Sequence, residues 1–161
     1  VYAVYDRGID NFIIKTYLDS SAVGYYGLAY KIHGNLVLGA AFLMNSLFPL
    51  ISSAKDDLPK LKVFLEKAFT TLLLAGLGVL IFGVVFAPVV IRIIAGNNYL
   101  PSILTLRILV LATFFAYINH LTGYTMVALG QQKKLLKFSL IGLIINLVFN
   151  IIFIPKLWLL I

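Results

Sequence analysis

The chain contains no cysteine, and only 12% of its 161 residues are charged. The missing cysteine excludes disulfides, thiolate nucleophiles and cysteine-held metals, and leaves the compartment open. The scarcity of charge excludes an ordinary soluble domain, in which about a quarter of residues are charged. Acids are scarcest, six against thirteen lysines and arginines. There is no Gly-rich phosphate loop, no zinc-ligand spacing and no Ser/His/Asp constellation, so nothing here supports an enzyme. Initiator Met and signal peptide are both lacking, and the final Lys156-Leu-Trp-Leu-Leu-Ile161 stops inside an apolar run. The expectation is a piece of a longer protein.

What is abundant is hydrocarbon. Hydrophobic residues make up 61% of the chain and the mean hydropathy is +1.02, values of an integral membrane protein. Apolar segments run over about 1–18, 22–54, 69–96, 102–130 and 135–161. Such lengths suit helices, since a barrel strand needs only about ten alternating residues. The expected fold is therefore an all-α, polytopic membrane protein with five transmembrane helices. The second segment exceeds a straight span and should tilt, kink or protrude, with Pro49 in its last turns and Gly34 and Gly39 able to permit a bend.

The net charge of +7 suggests nucleic acid only until the lysines are placed. Lys55, Lys60, Lys62, Lys67, Lys133, Lys134 and Lys137 fall in loops on one side, against Arg92, Arg107 and Lys156 on the other. Basic loops mark the cytoplasmic face, so the loops over 55–68 and 131–134 are expected inside, in a multi-pass inner or plasma membrane protein. Residues 55–68, acids early and bases late, look like a short amphipathic helix lying along the inner surface.

Two opposite charges interrupt the apolar pattern. If Asp19-Ser-Ser21 is a surface turn, Asp10 precedes it by nine residues and Lys31 follows it by ten. At about 1.5 Å per helical residue both sit roughly 14 Å deep, near the middle of a core about 30 Å thick. Ionisable groups there mark either a polar pathway or a salt bridge that locks two helices together. Arg7, Asn11 and Lys15 form a stripe beside Asp10, and that stripe must face other helices or a watery cavity. Tyr25 and Tyr26 fit an interfacial belt, and Tyr30 lies deeper, where it could stack on a sugar. His33 fits a simply hydrogen-bonded buried histidine, and Arg92 and Arg107 lie near enough to the outer surface to snorkel. Ser139, Gly142, Asn146 and Asn150 make a small-polar stripe suited to helix contact, with Asn146 near mid-membrane.

Several stretches resemble a known family. Asp10-Asn-Phe-Ile-Ile14 followed by Ser21-Ala-Val-Gly-Tyr-Tyr-Gly-Leu-Ala-Tyr-Lys-Ile32 resembles the hairpin opening the second lobe of oligosaccharide flippases. These belong to the multidrug/oligosaccharidyl-lipid/polysaccharide exporter superfamily. Phe48-Pro-Leu-Ile-Ser-Ser53, Gly96-Asn-Asn-Tyr-Leu-Pro-Ser102, Ala128-Leu-Gly-Gln-Gln-Lys133 and Asn146-Leu-Val-Phe-Asn-Ile-Ile-Phe-Ile-Pro155 follow in the family's order.

The resemblance implies a MATE-like transporter of twelve to fourteen helices in two lobes, of which this chain holds five and lacks the N-terminal lobe. It implies alternating-access movement of a polyprenyl-diphosphate-linked oligosaccharide from the inner to the outer leaflet, in cell-surface polysaccharide biosynthesis. Lys31, Arg7, Lys15, Asn11, Tyr30 and Asn146 would line the cavity. Asp10 would couple transport to an ion, as a sodium ligand or proton carrier, with no other cofactor. Lys31 stands where related lipid II flippases have Arg, so its hold on diphosphate would be a point charge rather than a bidentate fork. A cation-coupled multidrug exporter of the same superfamily would favour acids in the cavity. A non-transporting scaffold would use the same polar groups only to bind helices together.

Overall fold

The computed structural model describes residues 20–157, with side-chain surroundings over 21–148 except 22, 146 and 147. All regular structure among them is helical: α1 Ser20–Ser53, α2 Leu58–Ala95, a 3-10 turn Asn97–Tyr99, α3 Ser102–Ala128 and α4 Gln132–Leu157. Among the described residues, three helices are long and apolar enough to cross a membrane, over Val23–Ser53, Leu58–Ala95 and Ser102–Ala128. The described residues fall into two compact units, one over 24–130 and the other holding 131–157.

Local chemistry explains the boundaries. Asp57 caps α2, its carboxylate accepting from the Lys60 amide at 3.2 Å, and Pro59 occupies the first turn, where a missing N–H costs nothing. Gly96, at φ 78°, ends α2 and donates its N–H to the Arg92 carbonyl at 3.0 Å. Gly130, at φ 71°, turns the chain after α3. Both positions need the left-handed backbone that glycine adopts without strain.

Residues 58–68 are not a separate helix on the surface. They form the first three turns of α2, a continuous helix of 38 residues. At about 1.5 Å per residue it extends roughly 57 Å, well beyond a 30 Å core. No breaker stands between Lys60 and the span, and the apolar side of this stretch is already occupied. Leu61 and Ala68 are buried, and Phe64 and Leu65 pack on a cluster with Met44, Ile51, Tyr117 and Ala128. Tertiary packing thus claims the stripe that would otherwise seek lipid.

Within the 24–130 unit, the start of α1 meets the end of α2 through Tyr25 and Tyr99, and the end of α1 meets the end of α3 through Phe48 and Tyr124. α1 and α3 therefore run parallel, with α2 antiparallel to both. One core cluster gathers the Met44 end; a second holds Ala29, Ala87, Ile91, Leu106 and Val110. α2 and α3 approach closely because Gly76 and Gly83 present no side chain. A Cβ at Gly83 would meet the Val110 methyls at 2.6 and 2.8 Å. The outward faces stay apolar, with Phe42 at 67% and Ile93 at 78% exposure, as for helices solvated by lipid or by further helices. In the other unit, α4 carries Lys133, Lys134 and Lys137 in its first turns.

Candidate functional site

Lys31 lies in the middle third of α1 and is exposed. At about 100° per residue it is turned half a revolution from Ala40, nine positions on, which is fully buried. The helix therefore points Lys31 away from its contact with α2 and α3. Gly27 and Gly34 share its face, and a Cβ at either would meet nothing within 4 Å. A cation between two glycines leaves the α1 backbone open to close approach. This lysine does not hold the three helices of its own unit together.

Tyr30, next in sequence, points elsewhere. It is half-buried and stacks on Tyr26 at 5.8 Å, one turn earlier, and tilts against His33 at 5.8 Å. His33 is anchored in turn, its Nδ1 lying 2.7 Å from the Thr113 hydroxyl on α3. Thr113 Oγ1 also lies 2.9 Å from the Leu109 carbonyl, so its hydroxyl can donate there while its oxygen accepts the His33 Nδ1–H. His33 is thus a hydrogen-bonded histidine in a span, in keeping with the simplest expectation for it.

Of the other expected site residues, Arg7, Asp10, Asn11 and Lys15 lie outside the described residues, as does the side chain of Asn146 in α4. Among those described, no group of acids and histidines could hold a metal ion. Two of the resembling stretches, 21–32 and 96–102, meet in space. Tyr25 packs edge-on against Tyr99 at 5.6 Å and 89°, and a Cβ at Gly24 would rest against the same ring at an ordinary 3.9 Å. Phe48 packs edge-on against Tyr124 at 6.1 Å, whose hydroxyl donates to the Asn45 side chain at 2.9 Å. These contacts join the ends of α1 to its neighbours.

Arg107 departs from expectation. It is exposed, yet rather than only reaching for the surface it donates its Nε–H to the Val84 carbonyl of α2 at 3.1 Å. Sequence reasoning passed over this pairing. Its signal was Pro88, which deprives the carbonyl four residues earlier of a donor.

A family model described as polysaccharide biosynthesis protein matches residues 1–104. A protein named as an O-antigen transporter in Shigella flexneri is 26% identical over 125 residues, covering 77% of this chain and 30% of that protein. One named as a low-salt glycan biosynthesis flippase in Haloferax volcanii is 23% identical over 148 residues, covering 91% of this chain and 31% of its own length. The chain thus spans under a third of the curated relatives it matches. No solved structure gives a significant match. With apolar helices of spanning length and a family match over most of its residues, this membrane chain belongs to the polysaccharide biosynthesis protein family.

Proposed function

We propose that this chain forms five helices of the second lobe of a flippase, which moves a polyprenyl-diphosphate-linked oligosaccharide to the outer leaflet by alternating access. The observation that carries the reading is Lys31, a cation on a spanning helix turned away from its own packing core, in a chain of this family. The names of the two relatives, one for O-antigen transport and one for glycan flipping, support a sugar-bearing cargo.

The physical problem is the headgroup. A diphosphate cannot enter hydrocarbon, because stripping water from its charges is prohibitive. Arg7, Lys15 and Lys31 would offset that charge in a cavity, with Asn11, Tyr30 and Asn146 contacting the headgroup while the prenyl chain stays in lipid. A sodium ion or proton at Asp10 would tie rocking of the lobes to the ion gradient. The first lobe would come from the rest of the protein, in the plasma membrane, with 55–68 and 131–134 cytoplasmic. Chemistry on the sugar is not required of any residue here, so the protein would act as a transporter and not an enzyme.

The test measures membrane abundance and polymer export of the full-length protein carrying Lys31→Ala, Asp10→Ala or both. A substrate-holding Lys31 predicts normal abundance and lost export for Lys31→Ala, with no recovery in the double variant. A purely structural pair predicts reduced abundance for each single variant, because an unpaired charge is left behind. Abundance and export would then return together in the double, and that recovery would overturn the substrate-site reading.

A further inference from the structure

Pro88 sits inside the membrane-spanning part of α2. Because proline has no N–H, the carbonyl of Val84 loses the donor that an unbroken helix would supply. Inside hydrocarbon such a group must find another partner. Arg107 provides it from α3, its Nε donating to the Val84 oxygen at 3.1 Å. The reach depends on Gly83, beside Val84, which seats against Val110 and lets the two backbones come close. Guanidinium keeps its protons at any physiological pH, so the donor is permanent. The acids of the 24–130 unit are Asp56, Asp57 and Glu66, all at the opposite end of α2, and none competes for Arg107.

We propose that Pro88 and Arg107 form a releasable joint in α2. A backbone N–H cannot leave its carbonyl without unwinding the helix, whereas a side-chain donor lets go by rotating. With Arg107 in place, the part of α2 just before Pro88 is held at Val84 to α3, which the turn after Gly96 joins to the part beyond the proline. With it withdrawn, the segment beyond Pro88 tilts about the proline, where one helical hydrogen bond is missing. The moving end carries the turn at Gly96 and the 3-10 turn Asn97–Tyr99, and Tyr99 packs on Tyr25 of α1. Movement at the joint is thereby passed to the helix that bears Lys31. The joint is independent of what the protein transports.

The experiment uses the full-length protein with cysteines introduced at Leu74 and Ile93, two exposed α2 positions on either side of Pro88. Spin labels there, about 28 Å apart by helical rise, report bending as the width of the distance distribution. Arg107→Ala should broaden the distribution at least twofold. Pro88→Ala restores an amide to Val84 and should narrow it, equally with and without Arg107→Ala. An unchanged width in Arg107→Ala, or broadening that persists once Pro88 is also Ala, would overturn the joint. Should Arg107→Ala fail to accumulate, adding Pro88→Ala must return the protein to at least half its normal membrane level. Failure of that rescue would equally overturn the pairing.

Discussion

Tyr117 of α3 lies over Gly39 of α1 and donates its hydroxyl to the Leu36 carbonyl at 3.0 Å. Leu36 already has a helical partner, so the hydroxyl adds a second bond to the same oxygen and ties the two parallel helices near the middle of the unit. The contact exists because residue 39 has no side chain: a Cβ there would overlap the Tyr117 oxygen. Close approach through glycine is a common way for membrane helices to gain contact where lipid offers no hydrophobic drive.

Gly39→Ala should therefore destabilise the protein by about 1–3 kcal/mol, the usual cost of overpacking. Tyr117→Phe alone should cost about 1 kcal/mol for one lost interhelical hydrogen bond. In Gly39→Ala the same Phe change should help, because the new methyl would then meet only the ring carbon Cζ at an ordinary 3.5 Å. Thermal unfolding in detergent of the two single variants and the double measures this. A double variant no more stable than Gly39→Ala would refute the account.

The hydrogen bond between His33 and Thr113 sets which ring nitrogen carries the proton. With the Thr113 hydroxyl donating to Leu109, neutral His33 is expected to carry its proton at Nδ1. Nitrogen NMR of histidine-labelled protein should show that tautomer, and Thr113→Val should abolish the preference. Finding Nδ1 unprotonated in the unaltered protein would contradict the geometry.

Topology is open to a direct check. Lys60 begins α2 and Asn98 follows its end, so a spanning α2 puts them on opposite sides. With no native cysteine to interfere, Lys60→Cys and Asn98→Cys can each be labelled in intact cells. The lysine-rich loops predict labelling from outside at 98 and none at 60. Reaction at 60 from outside would invert the orientation.

Asp57→Ala should cost about 1 kcal/mol, by removing the cap on the Lys60 amide. The accompanying ion pair with Lys60, at 3.0 Å, is largely exposed and should contribute little. Lys60→Ala should therefore leave the melting temperature nearly unchanged. A larger loss for Lys60→Ala than for Asp57→Ala would assign the stability to charge and not to the cap.

Long apolar runs and basic loops were enough to read a helical membrane chain, because lipid permits few other backbones. The turn stretches around Gly96 and Gly130 were equally legible, since glycine with polar neighbours marks where helices stop. The linker over 55–68 was misjudged for a definite reason. Amphipathicity says that a stripe will be buried, but not whether lipid or another helix will bury it, and here Leu61, Phe64 and Leu65 found α1 and α3.

By itself, the sequence determined which residues are unusual: a lysine and a proline in one span, and glycines in the same span able to permit a bend. Their meaning came only from the tertiary structure. Lys31 is turned from the core because Ala29 and Ala40 occupy the opposite face of α1. Arg107 serves Pro88 because Gly83 brings two distant stretches within reach. Composition and spacing act along the chain, where local physics is decisive. Hydrogen bonds and close contacts between residues 23 or 80 positions apart depend on how helices rotate and cross, and packing alone sets that.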